Sequence, residues 1–116
     1  MLKEVFFGET AVALKASAAT PIRYKSIFHS DLLTDLNSIG ENAENIDVIS
    51  QLAYTMALQG VGSDFTAASQ DTFYSWLDQF EAMDILTAAP EIMNVYNTNA
   101  KVTSIAKKKN AEPSAN

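Results

Sequence analysis

The chain has 116 residues, 47% of them apolar, with no cysteine, one histidine and one tryptophan; this suits one domain with a real core and excludes wholesale disorder, a disulfide framework, a thiolate zinc site and a cysteine nucleophile. The formal charge of −6 is unevenly spread: residues 26–100 hold eleven acids and no Lys or Arg, while residues 1–25 and 101–116 carry four basic residues each, an acidic body that argues against duplex binding. No apolar run approaches the ~20 residues of a membrane span, and Met1-Leu2-Lys3-Glu4 lacks the layout of a signal peptide, so the expectation is a soluble cytoplasmic protein.

The chain opens with Val5-Phe6-Phe7, a Gly8-Glu9-Thr10 turn signal, and Val12 and Leu14 alternating with smaller residues. β-branched and aromatic runs around a Gly turn predict a short N-terminal β-hairpin, with a helix over 9–17 as the rival. Thr20-Pro21 is a helix start signal, Thr as cap and Pro in the first turn; it predicts a helix over 20–28 with Ile22, Tyr24, Ile27 and Phe28 on one side. His29-Ser30-Asp31 interrupts, with Ser30 as a cap for a second helix over 31–39, where Leu32, Leu33, Leu36 and Ile39 recur at spacings of three and four. Gly40 follows as a C-cap and 41–45 is polar and loop-like.

A third helix is expected over 46–58, burying Ile46, Ile49, Leu52, Ala53 and Met56 and stopped by Gly60. The next, over 71–86, carries the richest pattern: Phe73, Trp76, Leu77, Phe80 and Met83 on one face, with Asp71, Asp78, Glu81 and Asp84 on the remaining positions. Trp76 and Phe80 are expected to be mostly buried, with Trp76→Ala costing about 3–5 kcal/mol. Pro90 opens the last helix, 90–97, packed through Ile92, Met93, Val95 and Tyr96. The expected fold is mainly α: about five helices in one compact domain, 1–100, with the hairpin at its start and a disordered lysine-rich tail over 101–116.

Catalytic chemistry is scarcely represented. His29 alone cannot make a metal site needing two histidines. Asp78, Glu81 and Asp84 sit three apart and read as a solvated helix face, weak divalent-cation binding being the alternative. The glycines make no phosphate cradle, and no nucleophile–base set is present. The reading is therefore a non-enzyme without cofactor or metal. The acidic surface either serves solubility or steers a basic or amphipathic partner. Apolar aromatic faces point to recognition of apolar helix surface. Candidate client or subunit contacts are Val5, Phe6, Phe7, Tyr24, Phe73, Trp76 and Phe80. The sheet edges at Val5–Phe7 and Val12–Leu14 invite pairing with a second subunit and so a homo-oligomer.

The order of these features carries a resemblance. Ala18-Ala19-Thr20-Pro21-Ile22-Arg23-Tyr24-Lys25-Ser26-Ile27-Phe28 leads into Ser30-Asp31-Leu32-Leu33; then come Leu52-Ala53-Tyr54-Thr55-Met56-Ala57, Trp76-Leu77-Asp78-Gln79-Phe80-Glu81, Pro90-Glu91-Ile92, Asn97-x-Asn99 and a lysine-rich end. Over roughly residues 5–100 this resembles the small tail assembly chaperones of long-tailed bacteriophages and prophages of Gram-positive bacteria. One departure is His29, where that family commonly has Gly; histidine tolerates a left-handed backbone better than most residues. The resemblance implies a protein of the bacterial host cytoplasm, missing from the mature virion. It would bind the tape measure protein and keep it soluble until tail tube protein subunits assemble around it. It also implies a longer form made by programmed frameshift. Lys107-Lys108-Lys109-Asn110 permits an unbroken adenine run in the gene. The alternative from a different class is a small acidic helical adaptor or regulatory protein-binding domain.

Overall fold

The computed structural model describes residues 2–39, 46–62 and 68–98. The expected 101–116 tail, the Gly40 C-cap and the 41–45 loop lie outside the described residues. Gly8, with φ +67°, makes the turn that L residues resist, and β1 (Leu2–Phe7) folds back on β2 (Thr10–Lys15) as an antiparallel hairpin. Val5 pairs with Val12 and Lys3 with Leu14, so the period of two sends Val5, Phe7 and Leu14 inward. Leu2 and Phe6 point outward from the opposite face, 55% and 59% exposed.

Five helices follow among the described residues: α1 (Thr20–Phe28), α2 (Leu32–Ile39), α3 (Ile46–Val61), α4 (Gln70–Leu77) and α5 (Ala82–Tyr96). The mainly α fold with an N-terminal hairpin is thus as the sequence predicts, and the first three helices start within a residue of expectation. Pro21 does lie in the first turn of α1, but Thr20 is not its cap: Ala19 holds that place, and the fully buried Thr20 side chain turns inward. Its hydroxyl donates to Gln59 Oε1 (2.7 Å) and accepts from the Ser17 amide (3.0 Å). This ties the end of the hairpin to α3. His29 ends α1 in the left-handed region, φ 57°, its amide bonded to the Lys25 carbonyl at 2.8 Å. His29 thus adopts the left-handed backbone that histidine tolerates better than most residues.

The cap of α2 also differs from expectation. Asp31, not Ser30, holds the free amide of Thr34 (2.9 Å) and also accepts from its hydroxyl (2.7 Å). These two bonds hold the Asp31 carboxyl below the usual range. Ser30 instead donates to Asp35 Oδ2 at 2.7 Å.

Helix α3 is the centre of the molecule. It packs against β2, α5, α1, α2 and α4, and its turns from Val48 to Ala57 are buried nearly all round, the mark of a helix enclosed by neighbours. Fully buried Leu52 and Met56 each contribute about 1.5–3 kcal/mol of burial. Gly60 does not stop α3, which continues through it to Val61; Gly62, φ +70°, takes the chain out.

The largest correction concerns the second half. The single helix expected over 71–86 is two, and Pro90 lies inside α5 instead of opening it. The break falls at 78–81. Across it the chain keeps tight turns, with Gln79 N–H to Trp76 O and Phe80 N–H to Leu77 O (3.3 and 3.0 Å). The apolar spacing therefore runs on as though the helix did. The true start of α5 is marked by acids: the Glu81 amide donates to Asp84 Oδ2 at 3.2 Å, and a carboxylate at the third position suits the positive end of a helix. Consequently Asp78, Glu81 and Asp84 do not share a helix face. Met83 and Ile22, expected on packing faces, are 65% and 72% exposed. The buried stripe of α5 is Ile85, Ala88, Ala89, Ile92, Val95 and Tyr96.

Candidate functional site

A groove opens where the start of α3, all of α4 and the turn into α5 meet. Its volume is about 430 Å³. Ile46 on α3, Phe73 and Leu77 on α4, Phe80 in the turn and Ile85 on α5 make its apolar wall. Tyr74 stands at its mouth, 54% exposed. Two carboxylates line it, Asp47 in the first turn of α3 and Glu81 before α5; Ser50 and Gln51 add polar atoms. Apolar walls with a few polar groups are the usual make-up of a recognition groove. Every Lys and Arg among the described residues lies on β1, β2 or α1, so the elements forming the groove bring only negative charge to it.

One wall of the groove is held by a buried polar network. Gln51 Nε2 donates to the Tyr24 hydroxyl (3.0 Å), and that hydroxyl donates to Asp35 Oδ2 (2.7 Å). Since Ser30 also bonds Asp35, the network joins α1, α2 and α3. Burial, then the Asp35 carboxylate, holds the Tyr24 hydroxyl well above its usual range. The sign of the consequence is definite. Above pH ~10 the unfolded chain releases this proton and the folded one keeps it, so stability falls as pH rises. Tyr24→Phe is expected to cost about 1.5 kcal/mol at neutral pH, the range of a hydrogen bond to a charged group. It should also flatten the alkaline fall, leaving the part due to Tyr96, likewise raised by burial and by Asp31. Urea unfolding from pH 7 to 11 checks both.

The sequence-derived contact residues divide sharply. Val5, Phe7, Tyr24 and Phe73 are core side chains, at most 6% exposed; their surface is already covered within the chain, and a partner would have to open the fold to touch them broadly. Phe6 is open to solvent. Trp76 and Phe80 are mostly covered, as expected, packed against the core with part of each ring open to solvent. Trp76 rests on Phe7, Tyr54 and Phe80, with ring centroids 6.0, 5.3 and 5.1 Å away. Sequence reasoning did not single out Asp47, Ser50, Gln51 or Tyr74. The available signal was polar residues at spacings of three and four at the head of an otherwise apolar helix.

The described residues include no cluster of three or more His, Cys, Asp or Glu side chains able to hold a metal, and no described helix is long and apolar enough to cross a membrane. No protein-family model matches the chain, and no curated protein or solved structure matches it.

Proposed function

We propose that this protein is a tail assembly chaperone of a long-tailed phage or prophage, which binds apolar helical segments of a tape measure protein and keeps them soluble in the host cytoplasm until tube subunits replace it. The observation that supports the reading most is the open apolar groove between α3, α4 and α5 with acids at its edge. Such a groove takes the apolar face of a helix, while acids favour basic residues beside that face. The resemblance of residues 5–100 to that family adds the identity of the client. A shallow groove gives modest affinity per copy, which suits a chaperone that must be displaced.

The test is coexpression with the long helical protein encoded beside this gene, followed by pull-down and a solubility assay. Wild-type protein should keep the client in the supernatant and be recovered with it. Tyr74→Asp, at the groove's exposed mouth, should weaken recovery about tenfold, the scale of one lost apolar contact plus an unfavourable charge. An insoluble client with wild-type protein, or equal recovery with the variant, sinks the reading. Self-association through the outward Leu2 and Phe6 face of the hairpin, and a longer frameshifted product from the 107–110 codons, belong to the same proposal. Sedimentation across a concentration range and mass spectrometry of the native locus test them.

A further inference from the structure

We propose that the groove anchors its partner helix through an arginine side chain, held on the polar wall that Asp47, Ser50 and Gln51 make on α3. These three stand at positions i, i+3 and i+4 of one helix, so they share a face, and all three line the groove. Ser50 is the telling member. It is 3% exposed, yet its hydroxyl has no hydrogen-bond partner among the described residues. Thr55, further along α3, shows the ordinary solution: its hydroxyl donates to the Gln51 carbonyl at 2.9 Å. Ser50 makes no such bond back to Ile46. A buried hydroxyl left unpaired is costly, and one that lines an open groove is satisfied by what enters the groove.

The chemistry of the wall selects the cation. Gln51 Nε2 is engaged by the Tyr24 hydroxyl at 3.0 Å, which leaves the Gln51 side-chain oxygen as the acceptor. Asp47 is exposed and offers two carboxylate oxygens. The wall is thus a row of acceptors carrying negative charge, and α2, α3, α4 and α5 hold no Lys or Arg to meet it. A guanidinium has five N–H donors in a planar fork and no acceptor, so one group serves the carboxylate, the amide oxygen and the hydroxyl together. An ammonium has three donors on a compact head that holds its water strongly. The rings of Tyr74 and Phe80 line the same groove and favour a guanidinium plane lying against them. This assignment rests on the groove binding a client helix, as proposed above, and narrows that client to a helix whose apolar stripe is interrupted by an arginine.

Four helical peptides of about 15 residues test it, each with the same leucine stripe and one central residue: arginine, lysine, citrulline or leucine. Calorimetric titration into the full-length protein should show the arginine peptide binding about tenfold tighter than its neutral citrulline isostere, and tighter than the lysine peptide. Asp47→Asn, at an exposed position, should erase most of the preference for arginine over citrulline. Ser50→Ala should weaken the arginine peptide about fivefold and leave the leucine peptide unchanged. It should also leave the folded protein at least as resistant to urea, since the deleted hydroxyl had no partner. Equal binding of the arginine and citrulline peptides, or of the arginine and lysine peptides, overturns the anchor and leaves the apolar groove standing. Binding by none of the four overturns both. A Ser50→Ala protein that loses stability while keeping the full arginine preference places the hydroxyl in the packing of the core, and that too overturns the anchor.

Discussion

Phe73→Ala is expected to destabilise the protein by about 3–5 kcal/mol, the cost of deleting a packed aromatic ring, and to lower the melting temperature by about 20 °C. The ring is 6% exposed and lies 5.0 Å from Phe28, 5.4 Å from Tyr54 and 5.6 Å from Tyr74. It is thus where α4 joins α1 and α3, and its edge-to-face pair with Phe28, at 80°, adds about 0.5–1.5 kcal/mol beyond area burial. Removing it also deletes one wall of the groove. Trp76→Ala, one position from the end of α4 and partly buried, should cost less, about 2–3 kcal/mol, because part of the indole already meets water. Chemical unfolding of the two variants side by side gives the order. A Phe73→Ala loss below that of Trp76→Ala would mean that α4 is seated through its outer rings, and the groove would then be wrongly drawn.

The hairpin and the first three helices were legible because their signals are local. Gly8 between apolar alternations, Pro21 in a first turn, and leucines three and four apart each act within a few residues. His29 belongs with them, since its left-handed backbone follows from side-chain tolerance and its place between two helices. The second half failed for a physical reason. Turns of the 78–81 kind keep near-helical hydrogen bonds, so Phe73, Trp76, Leu77 and Phe80 keep a helical spacing through a real break. Pro90 misled in the opposite direction: it is exposed within α5, where tertiary packing of Ile85, Ala88 and Ile92 outweighs the lost backbone bond. The groove was legible only in part. Phe73, Leu77 and Phe80 stood out as apolar, but Asp47 and Gln51 come from a segment over twenty residues earlier, and no local pattern announces a meeting made by packing.

Gly60→Ala provides the sharpest test of how the hairpin sits on α3. A glycine inside a helix ordinarily costs about 1 kcal/mol against alanine, so this replacement would be stabilising if Gly60 merely occupied the helix. As a left-handed stop it would lose about as much. Neither applies. Gly60 lies within α3, and a Cβ there would stand 2.4 Å from the carbonyl oxygen of Ala13 and 3.0 Å from its carbon. The obstacle is the backbone of β2, which cannot rotate aside as a side chain does. Leu2 Cδ1, 3.3 Å away, narrows the room further. The hairpin must therefore lift from α3, and the expected net loss is about 2–3 kcal/mol, the range of overpacking. Gly62→Ala is the control: it has open space but φ +70°, so about 1 kcal/mol is expected from the backbone alone. Hydrogen exchange separates the two causes. Gly60→Ala should speed exchange at β2 amides such as Leu14, and Gly62→Ala should leave them unchanged. Unaltered β2 protection in a stabilised Gly60→Ala variant would show that α3 and β2 do not approach this closely.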